Sequence, residues 1–171
     1  MNAPRRAMLG AIPALAERAG RTVGLPMMQA MAAHVEVLPP RERARVLLEW
    51  LHERVRFQPD PDEWTSGDLY QSARSTWQAR RGDCDDTAPL LAAMMRAAGL
   101  RARLVAMSSP RYAWQPRHVS VQVLLPCCAK CRRNARAWEW TWAEPTLRGA
   151  RLGEHPQAAA MRLRRRRGDL R

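Results

Sequence analysis

A cysteine flanked by acids, in the run Arg81-Gly82-Asp83-Cys84-Asp85-Asp86, stands where an apolar helical pattern begins, and His118 heads an alternating strand downstream. A free thiol is mostly protonated at neutral pH and attacks only when a helix N-terminus, an imidazole or a cation favours loss of its proton. Asp83 is placed to cap the helix, with Asp85 and Asp86 in its first turn as further capping carboxylates, so the sulfur meets free backbone N–H groups and the positive end of the helix dipole. The same three carboxylates raise the thiol pKa unless they are spent as caps or paired with Arg80 and Arg81, which leaves much of the activation to His118. Glu144, just before Pro145 at the end of a later strand, can accept the other imidazole N–H and fix its tautomer. Thiol, base and orienter in this order suit acyl transfer: attack on an amide or ester carbonyl, a thioacyl intermediate, and release to water or an amine. The competing readings are a small buried cysteine, a plain strand-start histidine and a solvent-facing glutamate.

Positioning these groups asks for particular elements. Leu25 to Val37 reads as a weak helix, and Pro40 is suited to open the next one. In that helix Ala44, Leu47, Leu48, Leu51 and Val55 recur on one face, with His52 beside Leu48 and Leu51 as a flank residue. A loop follows from Pro59 to about Asp68, then a short helix over Leu69 to Gln78. After Cys84, the residues Ala88, Leu91, Met94, Met95 and Ala98 line one helical face, for packing against a sheet, and Gly99 falls where a left-handed cap is wanted. Pro89 is tolerated only in a first turn, which predicts a regular helix starting nearer Asp85. Arg101 to Met107 reads as a strand. The loop Ser108 to Arg117 follows, then a strand from His118 to Leu125 with Val119, Val121 and Val123 on one side. Trp138 to Glu144 alternates likewise. Pairing these two strands with His118 opposite Glu144 sets Ser120 against Trp142, Gln122 against Trp140 and Leu124 against Trp138. The period of two in Trp138, Trp140 and Trp142 is read as a buried strand face, not as a base-stacking platform.

The stretch Arg81 to Val105, with His118-Val119-Ser120-Val121 and Trp142-Ala143-Glu144-Pro145-Thr146, resembles the transglutaminase-like superfamily of papain-type cysteine enzymes, especially its small bacterial and phage-borne members. The resemblance spans roughly Val35 to Gly153. It implies an α+β, papain-like fold, N-terminal helices with a Cys-bearing helix packed on an antiparallel sheet. It also implies Cys84 as nucleophile and His118 as general base. At the third position Glu144 stands where aspartate is usual, and its extra methylene moves the carboxylate by about one C–C bond, predicting a less firmly oriented histidine. A glutamine shortly before the cysteine helps hold the oxyanion in papain-type enzymes. Gln78 has the matching spacing and Trp77 is the alternative, while the backbone N–H of Cys84 is a further donor. The resemblance implies no metal or organic cofactor.

Length and composition bound the rest. The 171 residues suit one domain, read as a poorly defined segment 1–24, a transglutaminase-like domain 25–156 and a basic Arg-rich tail 157–171. The net charge of +13 comes almost wholly from dispersed arginines, Lys130 being the lone lysine. Only Arg164 to Arg167 form an unbroken basic run, read as a solvated, disordered tail with an acidic partner as the alternative. A protein or peptide substrate is the expected partner, and nucleic acid is not. No apolar run reaches the ~20 residues that cross a bilayer, which argues against membrane insertion. Arg5-Arg6 and Ala7 to Ala16 outline a signal peptide that Gly10 and Pro13 interrupt, so a cytoplasmic setting is expected. Cys127, Cys128 and Cys131 crowd one segment instead of forming a spaced disulfide framework. Cys128 and Cys131 make one Cys-x-x-Cys knuckle, which lacks a second pair for tetrahedral zinc; Cys127 and His155 are the nearest further ligands. Asp83 to Thr87 also fits the acidic motifs of phosphate-transferring hydrolases and terpene cyclases, without the preceding apolar strand or the chain length those require. The rival from another class is a non-catalytic scaffold that keeps the fold.

Overall fold

The computed structural model describes residues 19, 24–59, 71–109, 112–127 and 137–168. Helix α1 (Pro26–Val35) and helix α2 (Pro40–Arg54) each open on a proline at the first turn, where its missing N–H costs nothing. Helix α2 buries Ala44, Leu47, Leu48 and Leu51 as the three-and-four spacing requires, and His52 with them. Strand β1 (Arg56–Phe57) pairs in parallel with β2 (Arg81–Gly82), on either side of helix α3 (Ala73–Ala79). Helix α3 starts later than expected because Ser72 caps it, accepting the Ser75 N–H at 3.0 Å. Helix α4 (Cys84–Ala97) then leads to strands β3 (Ala102–Ser109), β4 (Tyr112–Pro126) and β5 (Trp138–Ala143), an antiparallel sheet in the order β3-β4-β5. Helix α5 (Pro156–Gly168) follows. This is the expected α+β architecture.

Helix α4 is buried from Asp85 to Met95 on every side, not on one face. Leu90, Ala92 and Ala93 are as inaccessible as Leu91 and Met94, because the helix lies between the sheet and α1, α2 and α3. A helix apolar all round belongs at the centre of a domain. Its end follows the expected pattern: Gly99 has φ +75°, its N–H reaches Arg96 O at 3.0 Å, and Leu100 N–H reaches Met95 O at 2.9 Å. Its start does not. The helix begins at Cys84, so Pro89 sits beyond the first turn and withholds the N–H that the Asp85 carbonyl would accept. Arg43 ties two helix ends together, donating to Ala98 O at 2.6 Å and to Leu38 O at 3.0 Å, with a further bond to Glu36 O at the end of α1.

The β1/β2 pair fixes the approach to Cys84. Arg56 stands against Arg81 and Phe57 against Gly82. A Cβ on Gly82 would lie 2.6 Å from Asp86 Cβ and 2.7 Å from its Oδ2, so close approach, not backbone freedom, demands glycine there. Gly82→Ala is expected to cost about 1–3 kcal/mol of stability through overpacking, measurable as a lowered urea midpoint at unchanged slope; an unshifted midpoint contradicts this packing.

Three sheet expectations are corrected. First, residues 108–117 are no simple loop: β3 and β4 extend into them, with register shifts that pair Met107 with His118 but Ser108 with Pro116, leaving Arg117 as an extra residue. Such bulges re-aim neighbouring side chains and accommodate proline. Second, β4 and β5 pair as Val121↔Ala143, Gln122↔Trp142 and Leu124↔Trp140, two residues away from the expected register. Third, Trp138, Trp140 and Trp142 are only half-buried, and the core face of β5 carries Thr141 and Ala143. The tryptophans share the opposite face with Gln122 and Leu124, and the Arg103 guanidinium covers Trp140 at 4.1 Å from the ring centre. Residues 156–168, in the segment expected to be a disordered tail, form helix α5. Ala159 is fully buried, and Arg162 forms an ion pair with Glu154 at 2.7 Å that pulls the Glu154 pKa down to about 2. Among the described residues no helix is long and apolar enough to cross a membrane.

Candidate active site

The thiol is delivered by the first residue of α4. Asp83 is the N-cap, its Oδ1 accepting the Asp85 N–H at 3.2 Å, as its position predicts. Thr87 returns two bonds to the Asp83 carbonyl, from its N–H at 3.0 Å and its hydroxyl at 2.5 Å. Asp86 is corrected from cap to anchor: its two oxygens accept the Gln71 N–H and side-chain amide, both at 2.7 Å, and so fasten the chain leading into α3. Asp85 is buried in the first turn while Asp83 makes the cap. One carboxylate oxygen from each of the three aspartates lies within 4.8 Å of the others, the spacing of a metal cluster. Capping and the Gln71 anchor account for Asp83 and Asp86. Arg80 does not neutralise the run. Its guanidinium lies 4.8 Å and 4.5 Å from the ring centres of Trp50 and Trp77, which stack on each other at 4.6 Å.

Strand β4 brings the base to this point. The Val119 backbone N–H favours the charged form of the Cys84 thiol, which places the sulfur close to the strand one residue from His118. His118 Nε2 and Glu144 Oε2 are 2.8 Å apart, with the Glu144 side chain fully buried and that of His118 28% exposed. Glu144 Oε1 accepts the Thr146 N–H at 2.9 Å and hydroxyl at 2.6 Å. The extra methylene therefore does not loosen the carboxylate, contrary to expectation, and the two-residue register shift explains why. Continuing the ladder one step past Val121↔Ala143 sets Ser120 opposite Glu144, with His118 on the diagonal. A slip of two residues keeps every side chain on its own face, and a long side chain spans the diagonal. Ser120 Oγ, the nearer hydroxyl, is buried and makes no hydrogen bond.

One contributor escaped the sequence reading. His52, 9% exposed, sits 2.8 Å through Nε2 from the Glu144 carbonyl oxygen. Burial lowers its pKa, against the pull of that bond, so the ring is neutral and its Nε2–H donates. Its signal was present: an imidazole on the apolar face of α2 needs a buried partner. Of the two candidate oxyanion donors, Gln78 is exposed at the end of α3, and Trp77 is taken up in the stack with Trp50. Cys127 is exposed, and His155 contacts the Trp142 ring edge-on while its Nδ1 accepts the Gln157 N–H at 3.3 Å. Cys128 and Cys131 lie outside the described residues.

The electrostatics set how the thiol must react. Burial, followed by Asp83, Asp85 and Glu144, pushes the Cys84 thiol up to about 12, against the Val119 N–H. A helix N-terminus is worth at most about 2 kcal/mol, roughly 1.5 pKa units, which leaves the thiol protonated at neutral pH. The thiol is half-buried, and its activation falls to a base, as the neighbouring carboxylates led one to expect. Glu144 takes the opposite sense. Burial alone would raise it, yet the bonds from His118 and Thr146 hold it below the usual carboxylate range. With Nε2 engaged by Glu144, Nδ1 of His118 is the nitrogen left for a proton from sulfur.

No curated protein matches the chain. A crystal structure of a candidate protease from Parabacteroides distasonis superposes with a TM-score of 0.51 at 16% identity, over 66% of this chain and 24% of that one. The chain thus spans under a quarter of that neighbour's length, and the likeness is one of fold. The family model of the transglutaminase-like superfamily matches residues 29–147, from α1 through Thr146 and beyond the cap of Glu144. With most of its length and all three of its thiol, imidazole and carboxylate positions inside that match, the chain belongs to the transglutaminase-like superfamily.

Proposed function

We propose that the protein transfers acyl groups through Cys84, acting on amide or ester bonds of a peptide or protein. The observation that carries this reading is the 2.8 Å bond between His118 Nε2 and a fully buried Glu144, with the Cys84 sulfur close to the next peptide N–H of the same strand. Because the thiol rests protonated, His118 Nδ1 takes its proton as sulfur attacks the carbonyl carbon. The oxygen of the tetrahedral adduct gains charge at the mouth of α4, where the Cys84 N–H and the helix dipole stabilise it. His118 then returns the proton to the departing amine or alcohol, leaving a thioester on Cys84. Water or an amine, deprotonated by the same ring, resolves it. Hydrolysis is the simpler outcome, since water needs no second binding site. No cofactor takes part in these steps.

The test is acetylation of the full chain by p-nitrophenyl acetate at pH 7, read by peptide mapping. Cys84 is expected to carry the acetyl group well ahead of exposed Cys127, and Cys84→Ala to abolish the burst. Plain alkylation by iodoacetamide, which draws on the free thiolate, should climb about tenfold per pH unit from pH 7 to 10 without a plateau. Even acetylation of all cysteines would refute the reading.

A further inference from the structure

Behind the turn that fixes Glu144 lies a cavity of about 650 Å³, a volume typical of small-ligand sites. Four arginines line it, Arg54, Arg56, Arg80 and Arg148, the Arg80 guanidinium also lying over the Trp50 and Trp77 rings, while Glu53 is the one acidic residue among the described lining. Among the described residues none of the four forms an ion pair. The neighbouring cavity along α2 differs: there Arg45 is paired with both Glu42 and Glu49. Burial first and the nearby Arg54 second lower the Arg80 pKa from its ordinary value, the second as expected of like charges close together. Phe57, Leu147 and Leu163 supply an apolar wall.

We propose that this cavity is a binding site for a small polyanion, a molecule carrying two or more phosphate or carboxylate groups. Collecting four arginines without a carboxylate partner around one concave space costs self-repulsion, which an anion relieves. Guanidinium forks match phosphate and carboxylate oxygens in pairs. The half-open concave shape suits a compact molecule, not an extended polymer. Two residues connect the cavity to the candidate active site: His52 and Thr146 both line it, and both hold Glu144, through its carbonyl and its Oε1 respectively. The occupant sits against the back of that turn.

Isothermal titration of the full chain with inorganic tripolyphosphate, and separately with citrate, at about 0.1 M salt, tests the site. Saturable one-to-one binding is expected, with the preferred probe separating phosphate from carboxylate recognition. The pair Arg56→Gln with Arg148→Gln should weaken binding by about tenfold or more, and Arg45→Gln should leave it unchanged. If the double variant fails to fold by circular dichroism, Arg148→Gln alone carries the same comparison. Absence of saturation with both probes, or an equal loss in Arg45→Gln, would overturn the proposal by reducing binding to the general basicity of the chain.

Discussion

His118→Ala is expected to slow acetylation of Cys84 by about 10²–10⁴-fold at pH 7, the usual worth of a positioned general base. The loss follows from the state of the thiol. Burial and three carboxylates push it up to about 12, so without a base almost no thiolate exists at neutral pH. The variant's deficit should therefore shrink with rising pH, as hydroxide takes over the proton, and added imidazole should restore part of the rate. A merely structural histidine would show neither behaviour. A rate in His118→Ala equal to that of the parent protein would mean that the sulfur finds its base elsewhere.

The second large effect concerns Glu144. Glu144→Ala leaves His118 and the Thr146 donors without their buried acceptor, and breaking such a network typically costs about 3–5 kcal/mol. Glu144→Gln keeps the shape but removes the charge that orients His118, so a loss of acetylation on the order of 10²–10⁴-fold is expected with a smaller loss of stability. Glu144→Asp restores the residue usual in the family and should nevertheless impair the protein. Its carboxylate retreats by about 1.5 Å, enough to break the 2.8 Å diagonal contact. An aspartate variant as fast as the parent would show that the diagonal register does not matter. The pH sign is also fixed. Because the folded Glu144 pKa is lowered, its contribution to stability is fully present above the unfolded value of about 4.3 and is lost as pH falls through the folded value. Glu144→Gln should flatten that acid limb of the unfolding curve.

These residues also show what a linear reading can and cannot reach. Helix α2, the left-handed Gly99 and the common face of His118 and Glu144 follow from spacing and turn chemistry within a few residues. The strand register does not, because an alternating pattern looks the same after a slip of two. Gln122 could face Trp140 or Trp142 with the same face buried, and only assembly of the sheet selects Trp142. The pair β1/β2 is too short to alternate at all. His52 was visible as a histidine on an apolar face, yet its acceptor lies 92 positions away. The tryptophan face misled for a related reason: period two identifies a strand, but not which side the helices cover.

The guanidinium of Arg43 carries a consequence for how the domain comes apart. One side chain serves carbonyls at the ends of both α1 and the enclosed α4, and a single ammonium on lysine could not fork to both. Fraying of either helix end strands donors needed by the other, so the two termini open together. The enclosed helix is thereby joined to the N-terminal one as a single cooperative unit.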